Sequence, residues 1–508
     1  MMKLYELLSA VETFSFEAPS DPEITGIASD SRRVRAGDLF VCIRGLHEDG
    51  HAFLRDAVKA GAAAVITEAG CSCVSEGVPH IIVPSTRSAL AKLYHAWYGR
   101  PGDRLRLIAV TGTNGKTTVS FMLRAIWETS MEKCGLIGTV HCYSGGRLLR
   151  SRTVDSLANM TTPDPEDLYR LLAEMERDGA ETVILEATSH ALALGKLDAL
   201  HFDAAVFTNL TPEHLDFHGD MEHYYAAKAK LFGMCDLAII NGDDAYGKRL
   251  AREAKCPVRL CSARTEEVDY AASDVRDAGV EGISYRLLSK NAGIRLHCPI
   301  PGTFSVMNSL QAASLALERG KTPTCIQDAL GALNGVRGRM ERVRLPLGAE
   351  YAVFIDYAHT PDALENLLRT ARGFCREENR LVVLFGCGGD RDRTKRPLMG
   401  RLAAELADFV IVTSDNSRSE EPQAIIEEIL GGVTACESAD YTVIVDRREA
   451  IEYAVSHARR GDVILLAGKG HETYEINQTG RHPFDERAIV EEIAARTVGP
   501  AARGDEND

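Results

Sequence analysis

The sequence predicts an α/β protein of two or three domains with mostly parallel sheets. Short apolar runs alternate with helix-like stretches along the 508 residues, and many of these runs end in a cluster of polar residues. A chain of this length exceeds one comfortable hydrophobic core, so more than one domain is expected. Because ligands bind outside the carboxyl ends of the strands in open α/β sheets, the polar clusters also predict where binding sites lie.

Composition is that of an ordinary globular protein, and it excludes several functions. Hydrophobic residues make up 45% and charged residues 26% of the chain, as in most soluble domains. The net charge of −15 argues against a nucleic-acid partner, because a surface that binds phosphate backbones needs a dominant positive field. The N-terminus lacks a signal peptide, and no apolar run reaches the roughly 18 residues of a membrane span. We therefore expect a cytoplasmic protein that is not embedded in a membrane.

The cysteine pattern predicts reduced thiols. The 13 cysteines include no Cys-x-x-Cys pair of the kind used for zinc or redox chemistry. They are scattered singly, apart from Cys71 and Cys73. We expect most of them to be small buried hydrophobic residues.

The first 100 residues or so predict a small α/β domain. Strands and helices alternate here, with strands at residues 38–43, 63–67 and 80–83 and helices at 52–60 and 87–98. Two polar loops, one containing Ser31 and the other spanning residues 45–51, could hold a sugar nucleotide. Solvated turns are the simpler interpretation of either loop alone. The segment 100–103, Arg-Pro-Gly-Asp, has the composition of a linker.

The most informative stretch is Thr111-Gly112-Thr113-Asn114-Gly115-Lys116-Thr117-Thr118. It follows an apolar run and precedes a helix-like run, so it predicts a strand, a glycine turn and a helix start. Such a turn binds phosphate, since its backbone N–H groups close on the anion and the helix N-terminus adds partial positive charge. In that role Lys116 reaches the terminal phosphates, and the Thr117 hydroxyl can ligate magnesium. The loop is a shortened variant, because Val110 stands where the standard motif has its first glycine; the alternative is an ordinary strand-to-helix turn.

Two later strand-like runs also end in polar clusters. Residues 183–185 lead to Glu186, and residues 204–207 lead to a cluster that contains His214. Beside a phosphate loop, these two side chains can serve as ligands of magnesium or of its bound water. Taken singly, each is more simply a helix cap or a surface group.

A helix-like run follows the second of these clusters. Residues 225–232 place Lys228 and Phe232 one turn apart on the same face. Most helical lysines are solvated, so the pattern alone assigns no special role to Lys228.

A third α/β unit begins after about residue 338, and its strand-like runs end in polar clusters as well. These clusters lie at residues 356–362, 386–393, 413–418 and 467–472. By the same strand-end argument, they predict that this edge of the third unit carries chemistry.

Seven segments recur along the chain in a characteristic order: residues 112–118, Thr161-Thr162-Pro163, residues 186–190, residues 214–219, Ala227-Lys228, Gly338-Arg339-Met340-Glu341 and Asp356-Tyr357-Ala358-His359. In this order they resemble the Mur ligases, the ATP-dependent amino-acid ligases of peptidoglycan synthesis, over essentially the whole chain. Within the family, residues 415–418 and 468–472 are similar to those of members that add meso-diaminopimelate to UDP-N-acetylmuramoyl-L-alanyl-D-glutamate.

The resemblance implies three domains: a UDP-sugar-binding domain at residues 1–102, a central P-loop-type ATPase at 103–337 and a C-terminal Rossmann-like domain at 338–508 that binds the amino acid. It also implies a monomer with small-molecule substrates, and ATP and Mg²⁺ as cofactors. The γ-phosphoryl group of ATP would pass to the side-chain carboxylate of D-glutamate. The amino group of diaminopimelate would then attack the acyl phosphate.

The resemblance further implies a role for each matching residue. Lys116, Glu186, His214 and Lys228 would be catalytic, and a carbamylated Lys228 would join the metal ligands Thr117, Glu186 and His214. The implied ATP contacts are Gly112, Thr113, Asn114, Gly115, Lys116, Thr117, Thr118, Asn308, Arg339 and Asp356. The implied contacts of the UDP-muramoyl dipeptide are Ser31, Thr161, Thr162, Thr188 and Lys196. Those implied for diaminopimelate are Arg391, Asp415, Asn416, Ser417, Arg418, Gly468 and Glu472.

Four positions depart from the family pattern. Thr188 stands where serine is common, Ser305 where asparagine is usual, and Ser417 where proline is usual. Lys196 stands where arginine is common, which exchanges a bidentate fork for a point charge.

Arg418 favours diaminopimelate over lysine as the amino acid, because only diaminopimelate carries a second carboxylate beside its distal amine. Lysine or another diamino acid remains an alternative substrate. A more distant alternative is a ligase like folylpolyglutamate synthetase, which shares the ATP chemistry but lacks the extra N-terminal domain. A third is a nucleotide-regulated binding protein without ligase activity.

Overall fold

The computed structural model describes residues 1–11, 15–17, 20–45, 48–69, 78–151, 160–290, 293–333 and 335–497. Cys71, Cys73 and residues 46–47 of the second polar loop lie outside these ranges. The chain forms two compact units, Met1–Cys261 and a second unit that begins at Ser262. Both contain parallel sheets with helices, so the predicted α/β class is confirmed.

A small sheet forms the start of the first unit. Its elements are β1 (Met2–Lys3), α1 (Leu4–Leu8), β2 (Ser15–Glu17), β3 (Glu23–Ile24), β4 (Gly26–Ala28), β5 (Asp38–Val41), α2 (Leu54–Lys59), β6 (Ala64–Glu68), β7 (His80–Val83) and α3 (Thr86–Trp97). The strand order is β2-β7-β6-β5-β4, parallel except for β2. The predicted strands and the helix near residue 87 are confirmed within two residues. The helix predicted at 52–60 instead begins as a 3₁₀ turn, Gly50–Phe53.

A larger sheet follows in the same unit. Its elements are β8 (Arg106–Thr111), α4 (Lys116–Thr129), β9 (Cys134–Ile137), β10 (Cys142–Ser144), β11 (Arg147–Leu149), α5 (Pro165–Arg177), β12 (Thr182–Glu186), α6 (Ser189–Ala193), β13 (Ala204–Phe207), α7 (Leu215–His218), α8 (Met221–Ala229), β14 (Ala238–Asn241), α9 (Ala245–Glu253) and β15 (Val258–Ser262). The order is β11-β10-β9-β12-β8-β13-β14-β15, with β10 and β11 antiparallel and the others parallel. The helix expected at 225–232 ends at Ala229 and passes into a 3₁₀ turn, Lys230–Gly233.

The strands of this sheet are apolar along their whole length because both faces are covered. Residues 107–110 of β8 are almost completely buried. Helix α4 supplies part of the cover, since Val119, Met122, Leu123 and Ile126 repeat at helical spacing and are all buried. Each such side chain contributes about 1.5–3 kcal/mol when it leaves water.

The second unit starts with an antiparallel sheet and two helices. These are β16 (Tyr270–Asp277), β17 (Ile283–Ser289), β18 (Gly293–Cys298), α10 (Phe304–Glu318) and α11 (Pro323–Gly331). The order is β16-β17-β18. Helix α10 carries Asn308, which is buried.

A second parallel sheet completes this unit. Its elements are β19 (Glu341–Arg342), β20 (Ala352–Asp356), α12 (Pro361–Phe374), β21 (Leu381–Phe385), α13 (Lys395–Leu406), β22 (Phe409–Val412), α14 (Pro422–Val433), β23 (Tyr441–Val443), α15 (Arg447–Ser456), β24 (Val463–Ala467), β25 (Tyr474–Asn477), β26 (Gly480–Pro483) and α16 (Glu486–Thr497). The order is β19-β20-β24-β21-β22-β23, parallel except for β19. Strands β25 and β26 form a separate hairpin. Apolar cores lie on both faces of the parallel sheet.

The thiols and the helices of the described part of the chain bear on two broader expectations. The cysteines there are free thiols, and most are buried. None of the helices there combines the length and the apolar character that crossing a bilayer requires.

Helices α13 and α14 approach each other through glycine. A Cβ on Gly400 would overlap the carbonyl oxygen of Ile429, and one on Gly432 would overlap the carbonyl oxygen of Pro397. Gly431 is also in α14, but a Cβ there would meet nothing within 4 Å. The two neighbouring glycines therefore have different reasons to be small.

This difference predicts opposite effects of alanine at adjacent positions. Gly432→Ala should lower the free energy of unfolding by about 1–3 kcal/mol, because the helices must separate. Gly431→Ala should raise it by up to about 1 kcal/mol, because alanine is the better helix former. Urea denaturation followed by circular dichroism measures both, and equal effects would contradict the close packing of α13 on α14.

Candidate functional site

The predicted phosphate loop is a strand, a glycine turn and a helix start. Strand β8 ends at Thr111, and α4 begins at Lys116. Gly112 has φ 144° and Gly115 has φ 85°, conformations that side chains disfavour. At Gly112 a Cβ would also overlap the hydroxyl oxygen of Thr208. The glycines are therefore required by the shape of the loop, and the N-terminus of a 14-residue helix faces the turn, as an anion site needs.

The segment that follows β13 holds the loop in place. The backbone N–H of Thr113 donates to the carbonyl oxygen of Asn209 at 2.9 Å, and that of Asn114 donates to Asn209 Oδ1 at 2.9 Å. The Thr208 hydroxyl donates to the carbonyl oxygen of Asn114 at 2.5 Å. Strands β8 and β13 pair with Phe207 opposite Thr111, which brings these two strand ends together.

Lys116 folds back over the loop. Its Nζ donates to the carbonyl oxygens of Gly112 at 3.0 Å and Thr113 at 2.7 Å. The ammonium group is thus held at the glycine turn by backbone oxygens. A phosphate oxygen could replace them as the hydrogen-bond acceptor.

Glu186 lies beside the loop at the end of β12, in register with Val110 of β8. Its side chain is fully buried. The carboxylate accepts hydrogen bonds from the hydroxyls of Thr117 and Thr139, both at 2.9 Å, and from the Thr139 backbone N–H at 3.1 Å. Burial raises the pKa of Glu186, and the charge of Lys116 and these hydrogen bonds only partly oppose the rise.

A chain of threonine hydroxyls extends from Glu186. Thr139 and Thr161 lie 3.0 Å apart through their hydroxyl oxygens, as do Thr162 and Thr188. The Thr162 hydroxyl donates to the Glu186 carbonyl oxygen at 2.7 Å. The structure therefore brings Thr161, Thr162 and Thr188 together with Thr117 and Glu186. Sequence reasoning missed Thr139, although it follows β9, the strand next to β12, and the strand-end signal could have found it.

Lys228 is buried, with 1% of its surface exposed, so the interpretation as a solvated helical lysine is wrong. Its Nζ donates to the carbonyl oxygen of Gly112 at 2.8 Å and lies 4.7 Å from the centre of the Tyr224 ring. The Tyr224 hydroxyl is 3.1 Å from the Thr113 hydroxyl. Burial, followed by the charge of Lys116, lowers the pKa of Lys228 well below its ordinary value. Tyr224 is a second residue that the sequence reasoning missed.

His214 belongs to a cluster of rings on the exposed side of this region. It has φ 56° and lies at the N-terminus of α7. Its ring centre is 4.8 Å from that of His190 and 6.5 Å from that of Tyr224. Burial and the neighbouring histidines lower the pKa of His190 to about 4. Among the described residues, no hydrogen bond joins His214 to Glu186 or Thr117, so its place among the expected metal ligands stays a prediction.

The donor set at Glu186 nevertheless fits a magnesium ion. Mg²⁺ prefers hard oxygen ligands and keeps several of its waters, so one carboxylate and one hydroxyl can hold it. Glu186 and Thr117 supply these donors within 2.9 Å of each other. In the described ranges, no three His, Cys, Asp or Glu side chains form a metal cluster, and one carboxylate with one hydroxyl suits a partly hydrated ion.

The structure does not bring Ser31 or Lys196 to the hydroxyl chain through any hydrogen bond in the described part of the first unit. Lys196 is buried, and its Nζ lies 2.8 Å from the carboxylate of Asp164. Ser31 begins a 3₁₀ turn that Asp30 caps. The charge of Lys196 is thus already paired.

In the second unit, Asp356 ends β20 and is buried. It accepts hydrogen bonds from the backbone N–H groups of Met340 at 2.8 Å and Ala358 at 2.9 Å. Burial raises the pKa of Asp356, and Arg339 opposes the rise. The Arg339 guanidinium lies 5.5 Å from the centre of the Tyr357 ring. Within the described residues of this unit, Asn308 makes no hydrogen bond to Arg339 or Asp356.

The polar clusters after β21, β22 and β24 converge, as the strand-end argument predicted. Asn416 Nδ2 donates to Glu472 Oε2 at 2.8 Å. Gly468 has φ 116°, and a Cβ there would lie 2.6 Å from Asp415 Oδ2. These contacts place Asp415, Asn416, Gly468 and Glu472 in one group.

Arg418 lies at the edge of this group in a left-handed conformation, with φ 52°. Its Nη1 donates to the carbonyl oxygens of Gly389 at 2.9 Å and Asn416 at 3.2 Å. A Cβ on Gly388 would lie 2.9 Å from Arg418 Nη1 and 3.8 Å from Arg391 Cγ, so both arginines flank Gly388. Ser417, between Asn416 and Arg418 in the chain, is buried, with 3% of its surface exposed. Lys469, which is also buried here, is a third residue that sequence reasoning missed.

The fold and the loop define an α/β protein with a phosphate loop of the P-loop type. Family profiles match three parts of the chain: "Mur ligase family, catalytic domain" at residues 23–98, "Mur ligase middle domain" at 110–316, and "Mur ligase, glutamate ligase domain" at 338–470. The chain belongs to the Mur ligase family.

Curated relatives align over nearly their whole length. A UDP-N-acetylmuramoyl-L-alanyl-D-glutamate–2,6-diaminopimelate ligase of Syntrophomonas wolfei is 43% identical, covering 97% of this chain and 99% of the relative. The ligase of the same name from Clostridioides difficile is 39% identical, covering 97% and 100%. A solved structure of a ligase with this name is 31% identical, with a TM-score of 0.69 and coverage of 98% and 100%.

More distant structures share the fold alone. The folylpolyglutamate synthase of Mycobacterium tuberculosis, solved with ADP and AMPPCP, is 18% identical with a TM-score of 0.58. The alignment covers 82% of this chain and 96% of the synthase chain.

The burial of Glu186 predicts a stability cost that depends on pH. The pKa of Glu186 is higher in the folded protein than in the unfolded chain. The free energy of unfolding therefore falls as pH rises through the folded-state pKa, and this loss is absent below the unfolded-state pKa. In EDTA, Glu186→Gln should therefore be more stable than wild type by about 1–3 kcal/mol at pH near 8, and less so at pH near 5. Urea denaturation at the two pH values measures this difference.

The matched control is Glu181→Gln, whose side chain is 64% exposed. It should change the free energy of unfolding by less than about 0.5 kcal/mol at either pH. A Glu186→Gln variant whose stability relative to wild type is the same at both pH values would contradict the raised pKa.

Proposed function

We propose that the protein is an ATP-dependent ligase that joins meso-diaminopimelate to the D-glutamate of UDP-N-acetylmuramoyl-L-alanyl-D-glutamate. The observation that carries this proposal is the 43% identity to a ligase named for this reaction, over 97% of this chain and 99% of the relative. The polar groups at the strand ends of both units support it. We propose further that the protein works in the cytoplasm as a monomer, with domains at residues 1–102, 103–337 and 338–508.

A carboxylate does not react with an amine near neutral pH, so the acid must first be activated. The γ-phosphoryl group of ATP passes to an oxygen of the D-glutamate side-chain carboxylate, and ADP leaves. The amino nitrogen of diaminopimelate then attacks the carbonyl carbon of the acyl phosphate, an amide forms, and phosphate and a proton leave. The protein contributes positioning and electrostatic stabilisation, as in other phosphoryl transfers.

Lys116 and the glycine loop are the groups proposed to hold the ATP phosphates. Gly112, Thr113, Asn114, Gly115, Thr117 and Thr118 complete this loop and the first turn of α4. In the second unit, Asn308, Arg339 and Asp356 are proposed to contact ATP. The half-buried Arg339 and the buried Asn308 supply donors, and Asp356 orders the backbone around Arg339 through Met340.

Thr117, Glu186, His214 and a carbamylated Lys228 are proposed to hold Mg²⁺. The metal supplies positive charge that offsets the phosphate and carboxylate oxygens. Glu186 is the best-placed ligand, because it is a buried carboxylate beside the phosphate loop without a hydrogen-bonded cation among its described contacts.

The surroundings of Lys228 support the proposed carbamylation. Burial lowers the pKa of Lys228 and so favours its neutral amine, which is the form that attacks carbon dioxide. The product is an anion that resembles a carboxylate, so it can ligate a metal where an ammonium group cannot. Carbamylation would thus replace the positive charge of an ammonium group at Lys228 with a negative charge.

Lys228 should therefore make activity dependent on dissolved carbon dioxide. Wild-type protein stripped of carbon dioxide should lose activity and regain it with bicarbonate, whereas Lys228→Ala should be inactive with or without bicarbonate. Phosphate release from ATP measures both. Full activity of the stripped wild type would contradict carbamylation.

Lys116→Ala should lower amino-acid-dependent phosphate release by roughly 10³-fold or more, because a preorganised charge at the transferring phosphate is lost. The circular dichroism spectrum should not change, since the described partners of Lys116 Nζ are backbone oxygens of the loop. Lys248→Ala, an exposed lysine of α9, is the control and should keep its activity. Near-normal turnover of Lys116→Ala would overturn its assignment.

The UDP-muramoyl dipeptide is proposed to contact Ser31, Thr161, Thr162, Thr188 and Lys196. The three threonines offer hydroxyls next to Glu186 in two pairs, Thr161 with Thr139 and Thr162 with Thr188. Lys196 offers a charge that Asp164 already pairs, so it is the weakest member of this set.

Diaminopimelate is proposed to contact Arg391, Asp415, Asn416, Ser417, Arg418, Gly468 and Glu472. Arg418 is a cation with a planar fork, suited to the second carboxylate of the ligand. Glu472 is an anion suited to the distal ammonium group. Lysine has the distal ammonium group but no second carboxylate. It would therefore leave the Arg418 guanidinium unpaired and desolvated.

The preference for diaminopimelate over lysine should depend on Arg418. Wild type should favour diaminopimelate in kcat/KM by roughly 10⁴-fold, as sites built for a polar group reject analogues that lack it. Arg418→Ala should lose most of this preference, and Arg401→Ala, an exposed arginine of α13, should keep it. Efficient use of lysine by wild type would refute the substrate and leave the ligase chemistry standing.

A further inference from the structure

Lys469 is a buried lysine in the glycine-rich turn that follows β24. Its side chain has no exposed surface. Its Nζ lies 3.1 Å from Asn416 Oδ1, 3.6 Å from Glu472 Oε2 and 5.6 Å from the centre of the Phe484 ring. A buried ammonium group is costly unless it is paired and hydrogen bonded. Because it is inaccessible, Lys469 must act through its neighbours rather than on a substrate.

The first neighbour is the Asn416 amide, whose orientation Lys469 helps to define. Asn416 Oδ1 accepts hydrogen bonds from Lys469 Nζ and from the backbone N–H of Ile476 at 2.8 Å. Two donors at one atom identify it as the oxygen of the amide. The amide nitrogen must then point the other way, where it donates to Glu472 Oε2 at 2.8 Å.

The second neighbour is the Glu472 carboxylate, which accepts a hydrogen bond from the Asn416 amide and lies beside the positive charge of Lys469. Burial raises the pKa of Glu472, and the negative charge of Asp415 adds to the rise. Lys469 opposes it through its charge and its hydrogen bond. The side chains of Tyr474 and Arg447 also interact electrostatically with Glu472. Lys469 is thus a cation beside a buried carboxylate, 3.6 Å from Oε2, and its charge opposes the rise in that carboxylate's pKa.

We propose that Lys469 is a positioning residue of the amino-acid site, whose fixed charge and hydrogen bonds hold Asn416 and Glu472 ready for the distal ammonium group of the ligand. The proposal rests on the proposed function, because it takes a diamino acid as the ligand. Glu472 is useful to an ammonium group only as an anion, and Lys469 keeps it one. Asn416 holds the same carboxylate at a fixed angle because Lys469 and Ile476 fix its amide.

The first test uses the unmodified enzyme. The KM for diaminopimelate should stay within about twofold between about pH 6.5 and about pH 8.5, because the proposal has Lys469 hold Glu472 as an anion across this range. A KM that climbs steadily as pH falls through this window would overturn the proposal.

The second test removes the charge with an unbranched side chain of similar length. Lys469→Met should raise the KM for diaminopimelate by about tenfold or more, the effect of losing a charge-assisted contact. The KM should rise further as pH falls, because protonation of Glu472 removes the partner of the ligand's ammonium group. The KM values for ATP and for the UDP-muramoyl dipeptide should stay within about twofold.

Glu472→Gln separates positioning from a purely structural role. It should raise the KM for diaminopimelate without the pH dependence, and the double variant Lys469→Met/Glu472→Gln should behave like Glu472→Gln alone. If Lys469→Met does not fold, the double variant, which leaves no unpaired charge of this pair, and the wild-type profile decide the question. A double variant that is additive in the two single effects would show that Lys469 does not act through Glu472.

The controls distinguish this inference from the proposed function. Lys248→Met removes an exposed lysine in the same way and should leave all KM values unchanged. If wild type releases no phosphate with diaminopimelate, the proposed function fails. If wild type does so and Lys469→Met has the wild-type KM at every pH, only the role of Lys469 fails.

Discussion

The burial of a carboxylate at the end of β12 is the constraint on which the arrangement of the first unit depends. Glu186 is in register with Val110, so its side chain must lie beside the glycine turn that follows β8. Behind the same turn, Lys228 is buried against the Gly112 carbonyl oxygen. Burial shifts both groups toward their neutral forms, which raises one pKa and lowers the other. Glu186 and Lys228 are therefore the groups whose charged forms a ligand of opposite charge would stabilise most.

In the second unit, some buried charges are paired with other charged side chains. Burial works to raise the pKa of Asp415, but Lys469 and Arg447 outweigh it, so the pKa is lowered. Arg447 itself pairs with Glu486 at 2.8 Å, with both side chains almost wholly buried. The charges of Asp415 and Arg447 are thus balanced by other side chains, whereas burial still raises the pKa of Asp356 and of Glu472.

Much of this arrangement could be predicted from the sequence, for a physical reason. Strands of parallel sheets are apolar on both faces, so β8, β12, β20 and β24 appear as apolar runs whose ends are marked by the first polar residue. Because parallel strands end at one edge, the polar groups had to converge. The phosphate loop was predictable from glycine and its flanking elements alone.

What could not be predicted depends on contacts across the sequence. Tyr224 is an ordinary residue until folding brings it to Thr113. Lys228 has the spacing of a solvated lysine, and only the packing of α8 under the loop buries it. Lys469 stands in a recognisable motif, but its role depends on the orientation of an amide more than 50 residues away. The 3₁₀ turn before α2 reflects local hydrogen bonding by Asp49 rather than apolar spacing.

The crowding at Gly112 bears on how this protein could evolve under a drug. The position of a Cβ there is already taken by the Thr208 hydroxyl, and the backbone has a conformation that only glycine adopts readily. An inhibitor that draws its affinity from the main chain of this turn contacts atoms that no single codon change can remove. Resistance would have to arise at residues outside the turn.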